Sequence, residues 1–393
     1  MNRILFLADD LSGANDVGCQ IFKNGYKCAS VDTAAGNFSK FSGTFKGITV
    51  LNTASRLLTP RRAYKTVFST IVSAGKNILL YKKIDSTLRG NIGSEIDACI
   101  DALNIKAAAL VPAYPKLGRK IKNGKLYLNG RLLEETEYAN DPANPALTSD
   151  IALLLKKQSK YKTIKVPIAL IRQGKQALAD YIRTRKSKTP VIFIFDCLTE
   201  QDLKTIAEAV KNFKLIAGAA ALAGYILPKK AKSAPFCPVV TGATAYLVGS
   251  VKQITHKQIE ILSQAKKIPV FPVLKNKLAK AVGRDIIFKV KPLLGPGREK
   301  TRRKIATSFK NIAAGLVKNN NYSRFFISGG ATAETIMKAL KISYTEIRDV
   351  IVPGVPLTFS PEKNIYIVTK PGGFGKANTL LKIYKRLKHT LAK

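Results

Sequence analysis

The chain has 393 residues, which is long enough for two or three domains. Hydrophobic residues make up 46% of the chain and the mean hydropathy is near zero, a composition that excludes an intrinsically disordered protein. Lysine and arginine number 66 against 25 acidic residues, so the net charge of +41 attracts anions, whether small acids, nucleotides, nucleic acid or anionic lipid.

Short apolar runs alternate with helical stretches in both halves of the chain, and this alternation is typical of α/β folds. Each run is continuously apolar, which indicates strands covered on both faces, as in a parallel sheet. In the first half, helices are predicted over Pro60–Ser73, Ile92–Leu103 and Gln201–Lys211. The predicted strands there are Ile4–Ala8, Gly47–Leu51, Ile78–Lys82, Ala107–Val111 and Val191–Phe195.

The segment Lys120–Leu133 departs from this alternation. It contains two Asn-Gly pairs, Asn123-Gly124 and Asn129-Gly130, which flank four residues typical of strands. Asn-Gly favours the positive φ angles of tight hairpin turns. The segment therefore predicts a small antiparallel β-meander that projects from the parallel sheet.

A domain boundary is predicted at Pro228–Pro238, which is rich in proline and lysine and has no periodicity. A second alternation follows it, with strands such as Arg324–Ile327 and Ile365–Thr369. We therefore expect an α/β fold with two α/β domains and mostly parallel sheets, with the meander inserted in the first domain. The N-terminal domain is predicted to span residues 1–230 and the C-terminal domain residues 236–393.

Several classes of site and location are disfavoured. The five cysteines are scattered and do not combine with the two histidines in a zinc-binding spacing, so they fit reduced thiols of a cytoplasmic protein. The longest uncharged apolar run, Leu215–Leu227, is too short to cross a bilayer, so no membrane partner is expected. Two histidines with few acids near them in sequence do not indicate a Ser-His-Asp triad.

Two adjacent carboxylates, Asp9 and Asp10, follow the first predicted strand. Ligands of open α/β sheets bind at the carboxyl ends of strands. Two carboxylates there can accept a proton from a substrate hydroxyl or hold a metal. The alternative is that one of them caps the helix that follows, and the two roles can coexist.

Polar clusters follow two further predicted strands. Lys82–Gly93 (KKIDSTLRGNIG) contains Arg89, which offers a bidentate geometry to a carboxylate, and its hydroxyls suit sugar oxygens. Asn52–Arg56 supplies a second arginine. The alternative is a solvated loop before a capped helix. Taken together, three strand ends with polar clusters predict a clamp for an oxygen-rich anion.

Three glycine turns follow predicted strands in the C-terminal half: Gly249-Ser250, Ser328–Thr332 and Lys370–Gly375. Glycine at a strand–helix turn lets a phosphate approach backbone N–H groups and the positive end of a helix. None of the turns fits the GxGxxG or GxxxxGK[ST] motifs, so ordinary turns are the alternative. Their number in one α/β domain favours nucleotide binding.

The strings ADDLSGANDVG and KKIDSTLRGNIGSEID, together with the later SGGATAETIMKAL and VTKPGGFG, resemble motifs of the four-carbon acid sugar kinases. The resemblance implies ATP-dependent phosphorylation of the terminal hydroxyl of threonate, erythronate or 3-oxo-tetronate, with Mg²⁺ bridging the phosphates. It also implies an N-terminal substrate domain, a C-terminal ATP domain and a reaction in the cleft between them. Ala331 departs from the family, which usually has an acidic residue there.

Carried over position by position, the resemblance implies two sets of contacts. The substrate set is Asp9, Asp10, Arg56, Lys83, Ile84, Asp85 and Ser86, to which the residue pattern adds Arg89; Asp9 or Asp10 is expected to be the catalytic base. The nucleotide set is Ser250, Gly329, Gly330, Ala331, Thr332, Gly372, Gly373 and Gly375. The metal ligands stay unassigned.

The expected partners are a sugar acid and ATP, and a homodimer is left open. The competing hypothesis is a non-enzymatic anion-binding or nucleic-acid-binding protein that retains the kinase fold. The net charge of +41 favours that alternative, whereas the polar clusters at strand ends favour the enzyme. We therefore do not expect nucleic acid to be the partner.

Overall fold

The structure is a computed structural model. It describes residues 3–32, 45–75, 77–139, 145–185, 188–231, 237–274, 283–291, 298–318 and 322–389. The chain divides into two compact units. The N-terminal unit comprises Met1–Tyr26 and Asp32–Ala231, and the C-terminal unit comprises Lys27–Val31 and Lys232–Lys393. Residues 232–236 of the predicted linker lie outside the described residues.

The described residues form eighteen strands. They are β1 (Arg3–Ala8), β2 (Cys28–Asp32), β3 (Ile48–Asn52), β4 (Ile78–Lys83), β5 (Ala107–Val111), β6 (Arg119–Lys122), β7 (Lys125–Leu128), β8 (Arg131–Leu132), β9 (Lys162–Val166), β10 (Val191–Phe195), β11 (Leu215–Gly218), β12 (Ala243–Val248), β13 (Val270–Pro272), β14 (Ile286–Lys289), β15 (Tyr322–Ser328), β16 (Tyr344–Val352), β17 (Val355–Ser360) and β18 (Ile365–Lys370).

The same residues form twelve α-helices. They are α1 (Leu11–Lys23), α2 (Pro60–Ala74), α3 (Ile92–Leu103), α4 (Ile151–Gln158), α5 (Ile168–Arg172), α6 (Lys175–Thr184), α7 (Glu200–Val210), α8 (Ala220–Ile226), α9 (Gln253–Lys266), α10 (Arg298–Lys318), α11 (Gly330–Ala339) and α12 (Thr379–His389). In this part of the chain, the search for a helix of sufficient length and apolarity to cross a bilayer finds none.

The N-terminal unit is built on a parallel sheet whose described strands run in the order β3-β1-β4-β11-β5-β10-β9. Its central strands are buried along most of their length, as the apolar runs predict for a sheet covered on both faces. A parallel sheet directs the carboxyl ends of all its strands to one edge. The loops that follow these strands therefore collect there.

The predicted meander is confirmed as a separate antiparallel sheet in the order β6-β7-β8. Both Asn-Gly turns have positive φ at both residues, with 54° and 72° at Asn123-Gly124 and 51° and 87° at Asn129-Gly130. Asparagine and glycine tolerate these angles better than other residues, which is why the sequence signal was specific.

The C-terminal unit contains a mixed sheet in the order β13-β14-β12-β15-β18-β17-β16-β2. Its first five strands are parallel, and β17, β16 and β2 are antiparallel to their neighbours. Buried aromatic and aliphatic side chains such as Tyr246, Phe326 and Tyr366 pack in its core. The predicted α/β class with mostly parallel sheets is therefore confirmed.

Candidate functional site

Three neighbouring parallel strands of the N-terminal unit end side by side. The register pairs Ala8, the last residue of β1, with Asn52 on β3 and with Lys83 on β4. The segments after these strands therefore emerge at one edge of the sheet. Three polar clusters that lie far apart in sequence meet at this edge.

Arg56 joins the acids of these clusters. Its Nε and Nη2 donate to Asp9 Oδ2 and Oδ1 at 2.7 and 2.8 Å, and its Nη1 donates to Asp10 Oδ2 at 2.6 Å. Asp85 Oδ1 lies 3.9 Å from the same Nη1. A planar guanidinium held in this way fixes the orientation of the carboxylates that it binds.

The two adjacent carboxylates have opposite pKa shifts. Burial raises the pKa of Asp9, but the charges of Arg56, Lys82 and Lys83 outweigh burial, so the net pKa lies below the ordinary value. Burial also raises the pKa of Asp10; Arg56 offsets only part of this and the charge of Asp9 adds to it, so the net pKa is raised. Asp10 is therefore the stronger base of the pair.

Gly13 brings Asp10 and Lys83 close together. Asp10 is the N-cap of α1 and its Oδ1 accepts a hydrogen bond from the Gly13 amide at 2.7 Å, so it both caps a helix and belongs to the cluster. A Cβ on Gly13 would lie 2.7 Å from Asp10 Oδ1 and 3.3 Å from Lys83 Nζ. Only a residue without a side chain leaves the space between these two groups open.

Lys83 is buried, and its ammonium makes one hydrogen bond within the described residues, to the carbonyl of Ile84 at 2.7 Å. An ammonium has three donors, so two are left for a ligand. Ile84 itself is 1% exposed and takes part only through its backbone. Ser86 is half-buried, and its hydroxyl has no hydrogen-bond partner in the part of the chain that the structure describes.

Asp85 forms a second ion pair at the same edge. Arg89 Nε and Nη2 lie 2.7 and 3.2 Å from its two oxygens, and Thr87 donates to it at 2.5 Å. Burial raises the pKa of Asp85, but Arg89 and Arg56 outweigh burial and hold it well below the ordinary value. Asp85 is therefore an anion at neutral pH, and Arg89 is held by it rather than extended into solvent.

A buried ion pair that sequence reasoning missed lies beside the cluster. Lys82 Nζ is 2.6 Å from Glu95 Oε2, and the two side chains are 0% and 2% exposed. Ser55 donates to the other oxygen of Glu95 at 2.6 Å. Burial lowers the pKa of Lys82, but the charge of Glu95 outweighs burial, so the net pKa of Lys82 is raised. Burial raises the pKa of Glu95, and Lys82 offsets only part of this rise. Adjacent strand residues point to opposite faces, which separates Lys82 from Lys83.

Two buried polar atoms near Lys83 have no hydrogen-bond partner among the described residues. They are Asp16 Oδ1 on α1 and Arg119 Nε on β6. Burial raises the pKa of Asp16 although Lys83 and Arg119 oppose the shift, so both cations lie within electrostatic reach of Asp16. Buried polar atoms without partners are rare, and an absent ligand is one explanation for them. Neither residue was selected from the sequence.

The predicted nucleotide residues also collect at one sheet edge, in the C-terminal unit. Strands β12, β15 and β18 are adjacent and parallel, and the three glycine turns follow them. Backbone hydrogen bonds join the turns, since Gly249 N donates to Ser328 O at 3.0 Å and Gly329 N donates to Lys370 O at 3.1 Å. The turn Ser328–Thr332 begins α11, and no side chain caps the N-terminus of that helix.

Close packing between these turns requires glycine. A Cβ on Gly249 would lie 1.9 Å from Thr332 Oγ1, and a Cβ on Gly372 would lie 2.2 Å from Ser250 Oγ. Gly329 has a φ of 106°, which a side chain would strain. The remaining residues of the predicted nucleotide set, Gly330, Ala331, Gly373 and Gly375, lie in the same turns and in the first turn of α11.

Within the described residues, no group of three or more histidine, cysteine or acidic side chains could hold a metal ion. The carboxylates of Asp9, Asp10 and Asp85 form ion pairs with Arg56 and Arg89.

Each half of the chain matches a known family of domains. Residues 4–226 match the family model of a sugar-binding N-terminal domain, and residues 290–380 match that of a nucleotide-binding C-terminal domain. The chain is 27% identical to a D-threonate kinase from Salmonella typhimurium over 96% of both chains. The chain belongs to the four-carbon acid sugar kinase family. It is a kinase.

Other members of the four-carbon acid sugar kinase family are similarly distant. A 3-oxo-tetronate kinase from Actinobacillus succinogenes is 28% identical over 94% of this chain and 96% of its own. A D-erythronate kinase from Heliobacterium modesticaldum is 32% identical over 67% of this chain and 61% of its own. These relatives differ in the sugar acid that their names specify.

Solved structures show that this kinase has the fold of its family. The Haemophilus influenzae protein HI1011 superimposes with a TM-score of 0.74 at 24% identity, covering 97% of this chain and 99% of its own. A Salmonella typhimurium protein superimposes with a TM-score of 0.83 at 22% identity, covering 98% and 100%. At this identity the likeness concerns the fold alone.

Proposed function

We propose that this kinase transfers the γ-phosphoryl group of ATP to the terminal hydroxyl of a four-carbon sugar acid such as threonate, erythronate or 3-oxo-tetronate. The observation that carries the proposal is the cluster around Arg56, where one guanidinium aligns Asp9 and Asp10 beside an ammonium, Lys83, that has donors to spare. Such a cluster suits a ligand with a carboxylate and several hydroxyls.

Asp10 is the proposed base. Its pKa is raised, mainly by burial, and its Oδ1 is held by the amide of Gly13. A carboxylate oxygen has two lone pairs, so one lone pair of Asp10 Oδ1 is left to accept the proton of the substrate hydroxyl. Asp9, whose pKa is lowered, holds Arg56 in place.

Lys83 and Ser86 are the proposed donors to the substrate carboxylate and hydroxyls. Asp16 and Arg119, each with a buried atom that has no hydrogen-bond partner among the described residues, are proposed to bind further hydroxyls of the sugar acid. A hydroxyl both donates and accepts hydrogen bonds, so it can bind either the carboxylate of Asp16 or the guanidinium of Arg119.

The glycine turns of the C-terminal unit are the proposed phosphate site. Their backbone N–H groups and the uncapped start of α11 would stabilise the charge of the phosphates. Mg²⁺ would arrive with the nucleotide and supply charge neutralisation, since such an ion takes most of its ligands from phosphates and water. Ser250, whose hydroxyl lies beside the Gly372 turn, is the candidate protein ligand.

The test is ADP release from ATP and Mg²⁺ with a panel of threonate and erythronate stereoisomers and 3-oxo-tetronate. We expect at least one acid to raise ADP release far above the rate without acceptor. No stimulation by any acid, combined with salt-sensitive binding of DNA or RNA, would instead support the anion-binding alternative.

A further inference from the structure

The turn after β18 has its carbonyl oxygens bound by side chains of the protein. Lys370 Nζ donates to the carbonyls of Pro371, Gly372 and Phe374 at 3.1, 3.2 and 3.1 Å. The ammonium has three donors, and three carbonyls accept them. Lys370 therefore has no donor left for a phosphate unless it first releases the turn.

Two further side chains, both from α9, bind the same row of carbonyls. Thr255 Oγ1 donates to Gly372 O at 2.6 Å, and Gln258 Nε2 donates to the carbonyls of Phe374 and Lys376 at 3.2 and 2.9 Å. The turn is thus held by side-chain donors along its carbonyl edge, with Lys370 making the largest share of the contacts.

The amide edge of the turn is open. The N–H groups of Gly372, Gly373 and Gly375 have no acceptor among the described residues, whereas Phe374 N closes the turn on Pro371 O at 3.0 Å. Several free N–H groups in one glycine-rich turn form a concave anion site. The side chains that bind the carbonyl oxygens of the turn hold it in the conformation in which these N–H groups stay free.

Lys370 also connects this turn to its neighbour. Its backbone carbonyl accepts the hydrogen bond of Gly329 N, which belongs to the turn that opens α11. One residue therefore fixes both glycine turns, the first through its ammonium and the second through its carbonyl.

We propose that Lys370 is a positioning residue for nucleotide binding, and that its ammonium holds the Pro371–Gly375 turn in the conformation whose amides receive the phosphates. This inference rests on the proposed function, because it assumes that the glycine turns bind a nucleotide. It assigns to Lys370 a role through the backbone and no contact with the phosphates.

Burial adds a pH dependence to this arrangement. Lys370 is 1% exposed, and burial lowers its pKa to about 8 with no contribution from a charged side chain among the described residues. A neutral amine has two donors instead of three, so one carbonyl is released as the pH rises through about 8. We expect nucleotide affinity to fall over that range.

The stability of the fold moves in the opposite direction. Between pH of about 8 and 10.5, the unfolded chain keeps the proton of Lys370 while the folded chain has lost it. The unfolded state then binds more protons, so this group makes the fold more stable as the pH rises. Deprotonation of Lys370 therefore does not destabilise the fold, and a loss of nucleotide affinity above pH of about 8 cannot be attributed to unfolding caused by this group.

The experiment measures the Kd of a non-hydrolysable ATP analogue with Mg²⁺ by calorimetry at several pH values from 7 to 9.5, together with the KM values for ATP and sugar acid. Lys370→Met keeps the apolar stem but removes all donors. Lys363→Met removes an exposed lysine in the turn that precedes β18 and is the matched control. Lys370→Arg keeps its charge above pH of about 8.

We expect Lys370→Met to weaken analogue binding and to raise the KM for ATP on the order of tenfold or more, with no pH dependence left and the KM for the sugar acid unchanged. Lys363→Met should behave like wild type. If Lys370→Met fails to fold, the wild-type profile still decides, because its Kd should rise above pH of about 8. A folded Lys370→Arg variant should lack that rise.

A wild-type Kd that stays flat to pH 9.5, or a folded Lys370→Met variant within twofold of wild type, overturns this inference and leaves the proposed function standing. A wild-type protein that binds no nucleotide at pH 7 overturns both.

Discussion

Lys82 and Glu95 form an ion pair of 2.6 Å in which neither side chain is more than 2% exposed. Buried charges are tolerated only when each has its partner, and the removal of one partner leaves the other uncompensated. Glu95 is further held by Ser55, the residue before Arg56. The pair therefore supports the segment that carries Arg56 to the two aspartates.

Glu95→Gln should lower the free energy of unfolding by about 3–5 kcal/mol, because it leaves the Lys82 ammonium buried without a counter-charge. Urea unfolding measures this, and Glu208→Gln on the exposed face of α7 should change stability by less than about 0.5 kcal/mol. The double variant Lys82→Met/Glu95→Gln should recover part of the loss. A single variant as stable as wild type would show that the pair is dispensable.

Asp9→Asn and Asp10→Asn should separate stability from catalysis. The pKa of Asp9 is lowered in the folded protein, so its ionised form contributes stability at neutral pH that is lost as the pH falls through the folded pKa. Asp9→Asn should therefore destabilise the protein at pH 7, by about 1–3 kcal/mol.

The pKa of Asp10 is raised, so its ionised form costs stability above that pKa, and Asp10→Asn should leave the fold as stable as before or more so. Its kcat should fall by on the order of 10²–10⁴, since the proposed base is gone. Near-normal turnover by Asp10→Asn would rule out this assignment of the base.

Gly13→Ala should impair turnover without removing any polar group. The new Cβ would lie 2.7 Å from Asp10 Oδ1 and 3.3 Å from Lys83 Nζ, so one of them must shift. We expect kcat/KM for the sugar acid to fall on the order of tenfold or more, because ångström-scale displacement of reacting groups is costly. Gly224→Ala, also in a helix, would place its Cβ no closer than 3.3 Å to the side chain of Gln20 and is the control. Equal kinetics of the two variants would contradict the geometry.

Asp16→Asn should act on the sugar acid and leave the nucleotide unaffected. If the buried Oδ1 of Asp16 accepts a hydrogen bond from a substrate hydroxyl, the variant should raise the KM of the preferred acid on the order of tenfold and reduce the discrimination between stereoisomers. The KM for ATP should not change. A uniform effect on all acids, or a rise in the KM for ATP, would assign Asp16 a structural role.

Much of the site follows from local sequence, because a polar cluster after an apolar strand is visible without a structure. Asp9, Arg56 and Asp85 were each selected in this way. That they bind one another depends on the strand order β3-β1-β4, which no local pattern encodes. Parallel sheets bring together loops that are distant in the sequence, and this topology is what the structure adds.

The sequence does not identify residues whose role depends on the direction of their side chain. Glu95 and Asp16 lie within quoted motifs, but their partners follow from the phase of α3 and α1 against the sheet. Strand β2 was missed for a similar reason, since it pairs with β16, and the register joins Val31 to Tyr344. Because β2 and β16 lie far apart in the sequence, no local pattern predicts that they pair. The sequence places Lys370 in the motif VTKPGGFG, directly after a predicted strand. Its role follows only from its hydrogen bonds to three carbonyl oxygens, which the structure shows.

The position of the transferred phosphate tests the central claim most directly. Phosphorus NMR of the product formed from ATP and the preferred sugar acid should show a phosphate ester whose signal is split into a triplet by the two hydrogens of the terminal carbon. A doublet would mean transfer to an internal hydroxyl, and inorganic phosphate alone would mean ATP hydrolysis; either result would contradict phosphorylation of the terminal hydroxyl.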